Sequence, residues 1–456
     1  MTHTGTTRCS ARGLACGRAS VKAAFSWITL LFSLPAAQAG MDVSCSNPMF
    51  FGEAGVNVAF VPAGANAKLS TQAQEIVLLM QREMLLRLLS YGSVAVERFY
   101  EGGQPCDLER IHGMLFGGGQ WPGMLHPGHG AVVISERLYE DSTGIFVQTY
   151  LDYGLSRAID RVSFAVGPAD ASEILVFESS QRPVIFGPRR LSPETIARLH
   201  QDYQTAAVLH GEPDDASPGT PLALTPTMPF RYYVIDAKGE WMKVQGFDGR
   251  SGWTRGKVGA GGSLIARALP EMDAIEGAAG YLLARAETPV GEGQAHLKIT
   301  VTRERLQELT LKAFSSYLNQ VSAFESHRTQ STVHMLAGTV RLAQGTVRAD
   351  QSMLESVSSE YEQALSLDPY NSDAYQLRAL LRLTRGSLKG PPAGADLLAA
   401  HDDLWKAAGI SPDEPGIVRN LDSLYELPFA KDTRFGLSIE EFQKQAASLG
   451  ALVKAQ

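Results

Sequence analysis

Past residue 265 the chain carries no strand-like run, only apolar residues recurring every three and four positions, and nothing else divides it so sharply. Residues 272–285, 303–321 and 327–343 all show this helical spacing. Before that point two kinds of run alternate. Val56-Asn57-Val58-Ala59-Phe60-Val61 is rich in β-branched residues and stops at Pro62, as a strand does. Ala73, Ile76, Val77, Met80, Met84 and Leu88 follow at helical spacing, behind a capping box of Thr71 and Gln74. Residues 93–99 return to strand, and a short helix is expected over 107–115. Strands over 131–135 and 145–150 flank the turn-rich segment 140–144 and predict a hairpin. Two more strands, 162–166 and 174–178, precede a helix from Pro193 capped by Ser192. This order predicts a multi-domain α+β protein whose first domain, residues 45–210, is an α+β sandwich with helices on one sheet face. A length of 456 residues also calls for several domains.

Charge and the N-terminus constrain the class of partner. Arg8, Arg12, Arg18 and Lys22 precede the apolar run 23–34, Pro35 breaks it, and Ala37-Gln38-Ala39 supplies the small residues of a cleavage site. Residues 1–39 therefore read as a secretory signal with Gly40 as the new N-terminus. A run of about twelve apolar residues spans roughly 18 Å of helix, short of the roughly 30 Å hydrocarbon core. A periplasmic or secreted protein without a transmembrane segment in the mature chain is expected. Without residues 1–39 the chain holds 37 Lys+Arg against 48 Asp+Glu, a formal charge of −11. An acidic chain without a basic cluster is a poor partner for nucleic acid, because phosphate neutralisation needs grouped cations.

Two cysteines, Cys45 and Cys106, remain after such cleavage. In an oxidising compartment a Cys45–Cys106 disulfide is the default, and closing that 62-residue loop would contribute on the order of 4 kcal/mol. The alternative is a thiol- or metal-dependent hydrolase, with Cys106 beside His112, His126 and His129 and with Asp107 as a further ligand. The segment 115–130 is the basis for it, with six glycines and an H-x-x-H. That spacing on a loop lacks the fixed geometry of zinc motifs, and no phosphate-loop or dinucleotide pattern is present. The expectation is no catalytic set, no cofactor and no metal.

Residues 211–220 are Gly, Pro, Asp and Ser with little that is apolar, and read as a linker. Beyond them, Tyr232-Tyr233-Val234-Ile235 is a strand and Lys238-Gly239 a turn. Trp241-Met242-Lys243-Val244 then leads through Asp248-Gly249 to Gly252-Trp253, giving W-x-K-V-x4-G-R-x-G-W. Alternation along a strand sends Met242 and Val244 to one side, Trp241 and Lys243 to the other. The pattern resembles the bacterial SH3-like domain of envelope proteins, which implies a small β-barrel over residues 221–260. On that barrel Tyr232, Trp241 and Trp253 would stack on peptide or glycan.

A second pattern repeats further on. Val357-x3-Tyr361-x2-Ala364-x4-Pro369 is matched by Ala400-x3-Leu404-x2-Ala407-x4-Pro412. Small residues sit where helices approach closely, and proline stops each helix. This resembles the tetratricopeptide repeat and implies a helical-repeat domain over residues 265–456. The prolines are 43 residues apart against a family period of roughly 34, the excess fitting an insertion at 386–394. Asp422 and Val357 depart from the small residues of the pattern. By the resemblance, Gln376, Leu380 and Arg419 line a concave peptide groove. Arg378, Arg382 and Arg385 share one helix, as a solvated face or an anion site. Ser438 and Glu441 are expected to cap a last helix.

The strand–helix order at the N-terminus is similar in topology to small domains of envelope-assembly proteins such as the Tol-system propeller protein. Together these features imply a non-enzymatic binding or scaffolding protein of the bacterial cell envelope, whose partner is an envelope protein or peptide. Peptidoglycan is the alternative ligand.

Overall fold

The structure is a computed structural model of the 456-residue chain. It describes residues 56–61, 70–91, 94–98, 100–101, 104–105, 130–155, 160–166, 173–179, 184–186, 188–204, 207–222, 232–246, 249–255, 263–285, 301–321, 327–387 and 394–426. The expected helices at 107–115 and after Ser438 lie outside them, as do residues 1–39.

The first layer is a six-stranded mixed sheet. Strands β1 (Val56–Val61), β2 (Val94–Arg98), β5 (Gly130–Asp141), β6 (Gly144–Leu155) and β10 (Arg189–Leu191) lie in the order β10-β6-β5-β1-β2, and β9 (Val184–Ile185) pairs with β6. β1 runs parallel to both β2 and β5, whereas β5 and β6 form the expected hairpin. β3 (Tyr100–Glu101) and β4 (Gln104–Pro105) make a separate small ladder. Ala131, Val132, Val133 and Ile134 are all buried, so the central strand is covered on both faces and reads as an unbroken apolar run.

Helix α1 (Thr71–Leu88) crosses from β1 to β2, and α2 (Pro193–Gln204) packs beside it. The cap of α1 differs from expectation by one residue. Ser70 accepts from the Ala73 amide at 3.2 Å, while Thr71 is the exposed first residue of the helix. Ser192 caps α2 as expected, accepting from the Thr195 amide.

A second sheet holds five antiparallel strands in the order β12-β11-β15-β14-β13. These are β11 (Ala207–His210), β12 (Gly219–Leu222), β13 (Tyr232–Lys238), β14 (Trp241–Gly246) and β15 (Ser251–Arg255). The stretch 211–220 that composition assigned to a linker is the turn of the β11–β12 hairpin and the start of β12. It is closed by the Gly211 amide on the Pro218 carbonyl and by His210 Nδ1 on the Ser217 carbonyl at 2.9 Å. Gly, Pro, Asp and Ser serve a long turn as well as a linker, because both need compact, locally bonded backbone. The sheet therefore begins at residue 207, before the expected boundary at 221. Gly252 lets β11 approach β15: a Cβ there would lie 2.8 Å from that of Leu209.

From residue 264 on, the described elements are helices: α3 (Leu264–Ala268), α4 (Glu271–Arg285), α5 (Arg303–Gln320), α6 (His327–Arg348), α7 (Gln351–Leu367), α8 (Ser372–Ser387), α9 (Gly394–Ile410) and α10 (Pro415–Glu426). Successive helices pack side by side, most closely as the pairs α4–α5, α6–α7 and α8–α9. The boundary expected near residue 265 is not a packing boundary. α4 is buried along its length and rests on β1, β5 and β6 as well as on α1, so it completes the core of the first layer. Residues 40–456 form one compact unit. Gly277 seats the Phe314 ring in the α4–α5 contact, where a Cβ would come within 2.4 Å of it.

Candidate binding surfaces

The residues singled out by the repeated spacing lie at helix contacts. Val357, Tyr361 and Ala364 on α7, and Ala400, Leu404 and Ala407 on α9, are all fully buried. Each helix stops just ahead of its proline, α7 at Leu367 and α9 at Ile410. Asp350 caps α7 through the Ser352 and Met353 amides, and Asn371 caps α8 through the Ala374 amide. Asn371 Nδ2 also donates to Ser331 Oγ on α6, which donates to the Ala364 carbonyl at 2.7 Å. That chain of bonds locks the start of α6, the end of α7 and the start of α8 into one register.

The α6–α7 contact carries a half-buried polar triad. Glu360 on α7 accepts from Arg341 and lies 2.7 Å from His334 Nδ1, both on α6. Burial pushes the Glu360 carboxyl up, but its hydrogen bond with His334 and the charge of Arg341 outweigh this and hold it below the ordinary value. A depressed carboxylate stabilises the fold above its unfolded pKa of about 4.3, and that contribution drains away as pH falls through the lowered folded value. Glu360→Gln is expected to cost about 1 kcal/mol at neutral pH, measured by urea unfolding. The gap to wild type should narrow as pH falls through that lowered value, where the carboxyl is protonated in folded and unfolded chains alike. A gap independent of pH would show that the charge plays no part.

Arg378 and Arg382 are not an open anion site. Both bind the buried Asp403 of α9, Arg378 Nη2 at 2.6 Å and Arg382 Nε at 2.8 Å, so they fasten α8 to α9. Arg378 also stands over the Tyr375 ring at 5.4 Å, and Lys406 Nζ lies 5.8 Å from the same ring.

Of the residues expected to line a groove on the repeats, Gln376 and Leu380 are buried on α8, and Arg419 is exposed on α10. The strand hairpin β7 (Asp160–Val166) and β8 (Glu173–Ser179) lies against this part of the array, with β8 along α10 and both strands touching α8. The sequence identified both strands, but not where they would rest.

The second sheet displays the other expected surface. Met242 and Val244 are buried on one side of β14, while Trp241 and Lys243 are half-buried on the other, as the alternation predicts. The register sets Lys243 opposite Trp253 and Trp241 opposite Arg255, so these four share a face. His210, opposite Trp253 on β11, joins them and meets the Trp241 ring edge-on at 5.3 Å. Arg255 stands over Trp241 at 5.0 Å and pairs with Asp215 at 2.6 Å, while Lys243 Nζ lies 5.9 Å from Trp253. Trp253 is only 8% exposed, so it builds the sheet and offers a ligand little area. Trp241 remains accessible. Tyr232 opens β13 opposite Gly246. Lys243 and Arg255 were within reach of the sequence, two residues from a tryptophan on the same strand. His210 was not, since only strand pairing brings it there.

A third cluster is wholly internal. Arg87, at the end of α1, donates from Nε to Glu83 at 2.8 Å and from Nη1 to Asp273 and to Glu276, the last at 3.0 Å. Tyr91 donates to Glu276 at 2.9 Å, while Ser316 and Gln320 of α5 donate to Asp273 at 2.6 and 2.7 Å. Burial acts to lower the Arg87 pKa, but Glu276, Asp273 and Glu83 outweigh it and hold the guanidinium charged. Burial, with Glu276 adding to it, pushes the Tyr91 hydroxyl well up. These groups are mutually satisfied and join α1, α4 and α5.

Among the described residues no group of three or more His, Cys, Asp or Glu side chains could hold a metal ion, and no helix is long and apolar enough to cross a membrane. Cys45, Cys106, Asp107, His112, His126 and His129 lie outside the described residues. No protein-family model, curated protein or solved structure matches the chain.

Proposed function

We propose that the chain is a non-enzymatic binding or scaffolding protein of the bacterial cell envelope, engaging protein or peptide partners through its helical array and through an SH3-like module. The observation that carries this reading is the helical array itself. Stacked helix pairs whose contacts use small and aromatic residues at a repeated spacing leave their outer helices as a long surface suited to peptide docking. The tetratricopeptide-like spacing and the W-x-K-V…G-W pattern support it from the sequence side. The accessible Trp241, flanked by Arg255 and His210, supplies an aromatic and cationic patch on the second sheet.

Affinity capture from a periplasmic extract on the immobilised full chain tests the proposal. A discrete set of envelope proteins should be retained, and Arg419→Glu should reduce at least one of them several-fold. Retention no different from that on an unrelated acidic exported protein would refute the reading. Co-sedimentation with purified sacculi that falls on Trp241→Ala would assign the second sheet to glycan instead.

A further inference from the structure

The β7–β8 hairpin is an excursion from the first sheet. The chain leaves β6 and returns at β9, where Leu151 pairs with Val184 and Tyr150 with Ile185, so its exit and re-entry are neighbours. Among the described residues β7 and β8 pair only with each other. The hairpin reaches away from its own sheet onto α8 and α10, alternate helices of the array, which the sequence had marked as a groove. On α8, Gln376, Leu380 and Leu383 are buried. A two-stranded segment of the same chain thus lies against the face that the resemblance marked as a groove.

We propose that the face of α8 and α10 is a docking site for an apolar strand segment, and that the chain occupies it with its own β7–β8 hairpin until a partner's segment replaces it. Only the existence of an outside partner rests on the binding reading above. The register pairs Val162 with Phe177 and Phe164 with Leu175, so the occupant is a strand pair rich in large apolar residues. An incoming segment of the same kind competes with a tethered one, whose effective concentration is on the order of millimolar.

The test supplies the hairpin in trans. In the full chain, residues 156–183 are replaced by a six-residue Gly/Ser linker. This covers the roughly 13 Å from Leu155 back to Val184, four strand residues along. A fluorescent peptide of residues 160–179 is then titrated by anisotropy against this variant and against wild type. The variant should bind it at least tenfold more tightly than wild type. Absence of binding to a folded variant, or equal binding to both proteins, overturns the proposal. Hydrogen exchange on the intact wild type covers the case in which the variant does not fold. Hairpin amides should exchange at least a hundredfold faster than those of α4, by local opening. Protection equal to that of α4 would make the hairpin fixed scaffold and overturn the proposal as surely. Peptide binding without any envelope protein captured would leave this site standing and remove the outside partner.

Discussion

Replacing Arg87 with methionine is expected to cost about 3–5 kcal/mol. The guanidinium is buried and bonds Glu83 of its own helix together with Asp273 and Glu276 of α4, which lie 186 and 189 residues away in sequence. Removing the cation leaves three carboxylates close together in a low-dielectric interior, and they must then take up protons or draw in water. Urea unfolding, followed by far-UV circular dichroism, measures the loss. Adding Asp273→Asn and Glu276→Gln to Arg87→Met should recover part of it, because the penalty lies in the unpaired charges more than in the missing bonds. A loss below about 1 kcal/mol would mean that water already reaches the cluster.

Tyr361→Ala should cost about 3–5 kcal/mol by leaving a cavity in the α6–α7 contact. The ring is fully buried and seated on Gly338, where a Cβ would stand 2.6 Å from it, so neighbouring backbone cannot collapse far into the void. Tyr361→Phe separates packing from the hydroxyl, whose contact with Thr339 is long at 3.4 Å. It should cost less than about 1 kcal/mol. Thermal unfolding of the three proteins gives the comparison. Similar losses for alanine and phenylalanine would place the energy in the hydroxyl and contradict the packing argument.

Most of the local structure could be read from residue order. The helices at 272–285, 303–321 and 327–343, the 131–150 hairpin and the strands near 162 and 174 follow from apolar period and turn residues. Both prolines mark helix ends, because a ring on the backbone nitrogen cannot continue the ladder. The cap of α1 slipped by one residue since Ser70 and Thr71 are both good caps, and only backbone geometry chooses between them. The segment 211–220 is ambiguous by composition: its residues favour turns, and a turn inside a hairpin looks like a linker until β11 is seen beside β15.

The candidate surfaces were legible only in part. Trp241 and Lys243 share a face by strand alternation, a rule that operates within a few residues. The burial of Trp253, the arrival of His210 at Trp241 and the contact of α8 with a hairpin about two hundred residues earlier each depend on which distant segments meet.

Period, caps and proline stops act through the backbone of a single turn or strand, so residue order alone was enough to specify where helices and strands form and which face of each is apolar. Residue order could not specify the partner of each face. α4 has the same period as the later helices yet rests on the first layer, where its Asp273 and Glu276 meet Arg87. Such choices compare the burial of one apolar face against many alternatives, and only the assembled chain contains all the competing surfaces.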